Sequence, residues 1–296
     1  MREVTVIRRL VSTVAIFYIL GYTMVLLLAR PKENLMCQTY HQGSVLYPIP
    51  NFADTNEKDM VSRFTWLGNG GYSLPYGCRS KERVAILIPY RDREKQLRIL
   101  LSNLHPLLYR QGLEYRIYVI EQADTKPFNK GMLYNIAFSE AKTDNHTCFV
   151  FHDVDLIPEN DQIVYNCVRS PMHRSRAIDS FNYRLPDRKL IGGVSMWKKE
   201  DFEKVNGWSN LFVNWGGEDD DMSYRIIMNK LSIFRFRNNV ARYTMLKHKR
   251  TPVNTARYQM LMDSPWRFKV DGLSTLTYIP PTRENHQLYT RILVRT

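Results

Sequence analysis

The chain predicts an α/β fold with a mostly parallel central sheet, preceded by a single N-terminal transmembrane helix. Apolar runs at 83–90 (RVAILIPY), 114–122 (EYRIYVIEQ) and 148–151 (CFVF) have the length of buried strands, and segments of helical spacing separate them. Strand, helix, strand, helix, strand in that order implies parallel pairing through right-handed crossovers. With 296 residues, 44% of them apolar, the chain can bury a substantial core.

The N-terminus sets the topology. Residues 10–29, LVSTVAIFYILGYTMVLLLA, are uncharged and mostly apolar, enough to cross the ~30 Å hydrocarbon layer as a helix. The apolar region is longer than a cleaved signal peptide requires and no small-residue cleavage site is evident after it, so an uncleaved signal anchor is expected. Arg2, Arg8 and Arg9 precede it, against Arg30 and Lys32 after it. That balance, with the length of chain beyond the span, orients 1–9 as a cytoplasmic tail and the body as lumenal, a single-pass type II arrangement. A buried core helix is the competing reading and would need an amphipathic pattern. The four cysteines, Cys37, Cys78, Cys148 and Cys167, show no CxxC spacing and suit two disulfides in an oxidising compartment. Three pairings are open on sequence alone, as is a reduced chain with unrelated thiols. Asn145-His146-Thr147 is a glycosylation sequon for a lumenal chain.

Residues 30–80 hold Pro31, Pro48, Pro50, Pro75 and a GNGGY stretch with little periodicity, and read as a stem and irregular lead-in to a lumenal catalytic domain at 81–296. Leu97, Leu100, Leu101, Leu104 and Leu108 recur at helical spacing, with Pro106 expected to bend or end that helix. A second helix opens at Asn129, a good cap, and sets Met132, Leu133, Ile136 and Ala137 on one face. The net charge of +13 comes from 42 scattered Lys and Arg, with no stripe or arm of the kind nucleic acid needs, so no nucleic-acid partner is expected; anionic membranes and phosphate-bearing substrates suit it better.

Ligands of open α/β sheets collect at the carboxyl ends of strands, and there the sequence places its unusual residues. Asp153 and Asp155 follow CFVFH, on one side if strand geometry persists, and two such carboxylates call for a hard divalent cation. Solvated acids at a capped turn are the bland alternative. Arg91 and Arg93 follow the first strand, where guanidinium forks suit phosphate oxygens. In NWGGEDDDMSYRI, 214–226, the acids Glu218 to Asp221 stand in the first turn of a helix. The macrodipole accounts for some negative charge there. Four consecutive acids after Trp-Gly-Gly exceed what capping requires, and suggest a general base for a sugar hydroxyl beside the flat apolar face of Trp215.

ILIPYRDR, FNKGMLYN, CFVFHDVDLIP, GGVS, WGGEDDD, ARYTMLKH and the closing DGLSTLTY with HQLYT resemble, in order and spacing, the inverting β-1,4-galactosyltransferases, Golgi type II membrane enzymes of GT-A fold. The likeness runs from about Cys37 to the C-terminus. It implies disulfides Cys37–Cys78 and Cys148–Cys167, and Mn²⁺ held by Asp155, Met245 and His248. It implies that Pro89, Tyr90, Arg91, Arg93, Phe128, Asp153 and Val154 bind the uridine diphosphate of a UDP-sugar, with Gly193 and Trp215 around the donor. Glu218, Asp219 and Asp220 would line the acceptor site with Asp219 as base, and Arg257, Tyr258 and Leu261 would form an N-acetyl pocket for a GlcNAc-terminated glycan. Unaided, Met245 reads as core and His248 as surface.

Departures from the family pattern bear on specificity. Leu190-Ile191 replaces an aromatic pair led by tyrosine; the smaller aliphatic side chain opens space beside the donor's C2 substituent, which favours UDP-GalNAc over UDP-Gal. Members with an aliphatic residue there resemble N-acetylgalactosaminyltransferases. Val213 and Asn214 replace a tryptophan and a glycine, Asp187 a tyrosine, and Thr251 an aspartate. Lys130 replaces an arginine and would offer phosphate a point charge rather than a fork. A lumenal lectin descended from such an enzyme and a metal-dependent phosphohydrolase are the readings from other classes. The sequence identifies no partner subunit.

Overall fold

The computed structural model of the protein describes residues 36–37, 50–249 and 251–296. The expected tail at 1–9, the anchor at 10–29 and residues 30–35 and 38–49 of the stem lie outside them. Among the described residues no helix is long and apolar enough to cross a membrane.

In chain order the elements are α1 (Glu57–Arg63), β1 (Leu67–Gly68), β2 (Tyr72–Ser73), β3 (Arg83–Tyr90), α2 (Glu94–Arg110), β4 (Glu114–Gln122), α3 (Lys130–Ala141), β5 (Cys148–His152), β6 (Leu156–Pro158), β7 (Met172–His173), β8 (Ala177–Ile178), β9 (Val194–Lys198), α4 (Lys199–Lys204), α5 (Glu218–Met228), β10 (Phe234–Arg235), β11 (Arg242–Met245), α6 (Arg257–Arg267), β12 (Thr282–Asn285) and β13 (Thr290–Val294). The large sheet runs β1-β2-β4-β3-β5-β9-β7-β10, with β13 also pairing β4.

Its centre is the expected parallel unit. β3 pairs β4 from Arg83↔Glu114 to Tyr90↔Glu121, and β5 from Val84↔Cys148 to Leu87↔Phe151. Alternation along β3 sends Val84, Ile86 and Ile88 to the core under α2, and Ala85 and Leu87 to the core under α3. Pro89 falls beyond the last β5 partner, where β3 has no neighbour on that side to miss its N–H. The sheet as a whole is mixed rather than mostly parallel, because β9 joins β5 antiparallel, and β7 joins β9 antiparallel. Parallel neighbours need a crossover, usually helical. Between β5 and β9 the chain forms only short strands and turns.

Two other expectations differ. α2 does not end at Pro106 but continues to Arg110. Proline removes one backbone donor, and buried Leu104, Leu107 and Leu108 around it keep the last turns packed. Within the expected irregular lead-in, α1 is capped by Asn56, whose side chain accepts from Asp59 N at 2.9 Å, and it buries Met60 and Phe64 in the α2 core. Seven residues are too few for helical periodicity to register. The disulfides are Cys37–Cys78 and Cys148–Cys167. Asn145 is exposed, in a left-handed turn ahead of β5.

A buried ion network fixes α5. Arg225, with no exposed side-chain surface, pairs through Nε with Asp221 at 2.5 Å and through Nη2 with Asp271 at 3.3 Å. Its Nη1 donates to the carbonyls of Gly207 and Asp271 at 3.2 and 2.7 Å. Removing the cation leaves Asp221 and Asp271 with Arg267, at 3.6 and 3.1 Å, as their remaining counter-charge, so Arg225→Leu is expected to lower the free energy of unfolding by about 3 kcal/mol, measured by urea denaturation.

Candidate functional site

β5 ends at His152 and the chain turns through 153–155 before β6. Asp153 N donates to Gly193 O at 3.0 Å, closing the turn against the glycine pair ahead of β9. Strand geometry does not persist here, so the two aspartates serve different partners. Asp153 Oδ1 accepts from Tyr134 OH at 3.0 Å and lies 3.8 Å from Lys130 Nζ. Asp155 Oδ2 lies 2.7 Å from His248 Nδ1.

Lys130, at the start of α3, is the centre of the first group. Its Nζ is 2.9 Å from Glu218 Oε1 and 3.3 Å from Asp219 Oδ1, both in the first turn of α5. The expectation gave this ammonium to phosphate; the structure engages it with three carboxylates in a largely buried position. Burial pushes the Asp219 carboxyl up to about 7 and Asp153 up to about 6, with Lys130 pulling both down and neighbouring acids raising them again. Burial works to lower the Lys130 pKa, but the carboxylates override it and hold it well above the ordinary lysine value. Burial also raises Asp220, with Glu218 and Asp187 nearby. Glu218 Oε2 and Arg257 Nη1 are buried and have no hydrogen-bond partner among the described residues. An open acceptor and an open donor suit a ligand rich in hydroxyl and amide groups.

Close backbone approach holds this cluster. A Cβ on Gly192 would stand 2.0 Å from Asp219 Oδ2, so no side chain fits without moving that carboxylate. Gly193 has φ +81, and a Cβ there would meet Ser175 Oγ at 2.5 Å. Gly217 caps α5 with φ 102 and the helix N-terminus faces the acids. Sequence reading missed Gly192 as a spacer and Tyr134 as the partner of Asp153. The spacing that could have found Tyr134 is its place four residues after Lys130, on the same helix face.

The second group tests the implied metal. β6 and β11 pair antiparallel with Leu156 opposite Met245, and Leu246 N donates to Asp155 O at 2.8 Å. Met245 N donates to Asp179 Oδ1 at 2.8 Å, and its Sδ accepts from Ser180 Oγ at 3.6 Å. Among the described residues no three His, Cys, Asp or Glu side chains converge on one point, so a cation here needs a donor of another kind. Neighbouring ligands of a small divalent ion at ~2.1 Å stand about 3 Å apart, close to the Asp155–His248 separation. The carboxylate and the imidazole so placed suit a divalent cation, whereas the thioether of Met245 is a soft donor and an unusual partner for Mn²⁺. The hydrogen bond to Asp155 raises the His248 pKa above its usual value.

The remaining expected residues frame these groups. Val154 and Pro89 are buried and Tyr90 half-buried. Arg91 Nη1 donates to Lys126 O at 2.7 Å with its guanidinium 5.3 Å from the Phe128 ring, and Arg93 Nη2 donates to Lys249 O at 2.7 Å. Both retain other N–H donors. Trp215 is exposed, tied to Pro252 O at 3.0 Å through its backbone N–H, and covered by the Arg257 guanidinium at 4.9 Å. Tyr258 is exposed and Leu261 half-buried on α6. Leu190 is half-buried, its carbonyl accepting from Arg235 Nη2 at 2.6 Å, whereas Ile191 belongs to the α3 core.

A mixed sheet with carboxylates, a carboxylate–imidazole pair and arginines at its strand ends defines a glycosyltransferase of GT-A fold. Residues 40–168 match the model of the N-terminal region of glycosyl transferase group 7, and 172–249 that of the N-terminal domain of galactosyltransferase. β-1,4-Galactosyltransferase 4 of Cricetulus griseus is 45% identical over 230 residues, 76% of this chain and 67% of that protein. β-1,4-Galactosyltransferase 1 of Homo sapiens is 42% identical over 229 residues, 76% of this chain and 58% of that protein. The catalytic domain of Drosophila β1,4-galactosyltransferase 7, solved with xylobiose, superposes with a TM-score of 0.62 at 26% identity, covering 72% of this chain and 93% of that one. A mutant of the same fly protein, solved with manganese, UDP-Gal and xylobiose, matches equally. The chain belongs to the β-1,4-galactosyltransferase family of hexosyltransferases, and spans about two thirds of the length of the first relatives it matches.

Gly192→Ala is expected to displace Asp219 and lower kcat of sugar transfer about 100-fold, with an unchanged far-UV circular dichroism spectrum. A kcat within about a factor of two of the native enzyme would show that the close approach is not needed.

Proposed function

We propose that the protein is a Mn²⁺-dependent inverting transferase that moves GalNAc from UDP-GalNAc to the 4-hydroxyl of a terminal β-GlcNAc on a glycoprotein or glycolipid. The observation that carries the reading is the Lys130 cluster, with Asp219 raised to about 7 beside the open Glu218 Oε2 and Arg257 Nη1. Asp219, ionised, takes the proton from the acceptor hydroxyl. The oxygen attacks the anomeric carbon from the face opposite the nucleotide, the bond from that carbon to UDP breaks, and α becomes β. Asp155, Met245 and His248 would hold the ion, which supplies charge neutralisation for the departing diphosphate. Arg91 and Arg93 bind diphosphate oxygens through their remaining donors. Arg257, Tyr258 and Leu261 receive the N-acetyl group of the acceptor. The body works in the Golgi lumen behind the 10–29 anchor, where Asn145 accepts a glycan.

The donor choice rests on Leu190. Its backbone is held by Arg235, so the side chain occupies a defined place, and leucine lacks the reach and hydroxyl of tyrosine. The relatives' names favour UDP-Gal as the second reading. Full-length protein in detergent with Mn²⁺ is expected to turn over UDP-GalNAc faster than UDP-Gal on a GlcNAc acceptor, and to fall silent on chelation. Leu190→Tyr should reverse the donor ratio. Faster use of UDP-Gal by the native enzyme, with a ratio insensitive to Leu190→Tyr, sinks the donor assignment. Sugar binding without transfer of either donor makes the protein a lectin.

The pH profile follows from the same cluster. The base acts only when ionised, so kcat/KM should fall as pH drops through about 7. Lys130 pulls the Asp219 pKa down, so Lys130→Met should shift this acid limb to higher pH. An unshifted limb in the variant removes Lys130 from control of the base.

A further inference from the structure

Exposed apolar side chains gather along one helix. On α6, Tyr258, Met262 and Trp266 are 67%, 64% and 85% exposed, and their i, i+4, i+8 spacing aligns them in one stripe. The other side of α6 is fixed, since Ser264 is buried and donates to Asp221, and the Arg257 guanidinium lies 4.9 Å from the Trp215 ring and 4.8 Å from that of Tyr258. The stripe thus begins at the proposed N-acetyl pocket and leads away from it for ~12 Å at 1.5 Å per residue. Gln259 and Asp263 border it on one side, both exposed, and neither side chain makes a hydrogen bond or ion pair among the described residues.

The size and edges of the stripe decide what covers it. Side chains of roughly 200 Å² each, exposed to this degree, present on the order of 450 Å², well under the ~800 Å² per partner of a stable protein interface. Free polar groups edge it on one side and half-buried Leu261 and Pro265 on the other. A pyranose has the complementary form, an apolar C–H face with hydroxyls around its rim. We propose that Tyr258, Met262 and Trp266 form an extended acceptor subsite for the inner sugars of a GlcNAc-terminated glycan, with Gln259 and Asp263 bonding their hydroxyls. This subsite rests on the proposed GlcNAc acceptor.

The test compares full-length protein in detergent on two acceptors, p-nitrophenyl β-N-acetylglucosaminide and β-1,4-linked tri-N-acetylglucosamine, with whichever UDP-sugar is turned over. The native enzyme should show the lower KM for the trisaccharide. Trp266→Ala should raise trisaccharide KM about tenfold relative to that of the monosaccharide, with kcat kept, and Trp266→Phe should recover most of the difference. An equal change on both acceptors, or none on either, overturns the subsite. Unchanged kinetics with weakened sedimentation on phosphatidylserine vesicles assigns the stripe to lipid and overturns it too. If the native enzyme transfers to neither acceptor, the acceptor reading itself falls and takes the subsite with it, an outcome recognisable before any variant is made.

Discussion

One ammonium holds the site together. Lys130 Nζ reaches Asp153 from the β5 turn and Glu218 and Asp219 from α5, three largely buried acids that would repel one another without it. Because the acids come from different elements, Lys130 also sets the spacing between the end of β5 and the start of α5. The same charge tunes the proposed base, since burial drives Asp219 upward and the lysine restrains it. A lysine in this place supplies one compact charge to three oxygens, where an arginine would present a planar fork to two.

The frame that brings those elements together is rigid. Arg225 locks α5 to the carbonyls at 207 and 271, and α6 is pinned to α5 by Ser264 and Asp221. Gly192 and Gly193 allow the chain ahead of β9 to pass against Asp219 and Ser175 without side chains between. Rigid supports matter to the proposed displacement, in which nucleophile, anomeric carbon and leaving group must be in line.

The second sheet, β6-β11-β8, does comparable work for the proposed metal ligands. Its register places Met245 opposite Leu156, beside Asp155, and Asp179 and Ser180 hold the backbone and sulfur of Met245. Gln96 and Arg93, at the start of α2, donate to the carbonyls of Lys247 and Lys249, so the segment bearing His248 is tied to the element that follows the arginine-bearing strand. The proposed diphosphate and cation sites are therefore joined through α2 rather than through a single loop.

By itself the sequence determined the parallel centre and its contents. β3 and β4 occupy the residues their apolar runs mark, Asn129 caps α3, and the acids 218–221 open α5, because strand burial, capping and the macrodipole are local rules. Family likeness supplied the proposed residue roles that spacing could not, Met245 above all. Tertiary structure alone decided that β9 runs antiparallel to β5, since VSMWK carries the same alternation in either direction. It alone carried α2 past Pro106, parted Asp153 from Asp155 at a turn, and turned Lys130 toward carboxylates. Each depends on which distant side chains arrive beside a residue, and that proximity has no trace in local periodicity.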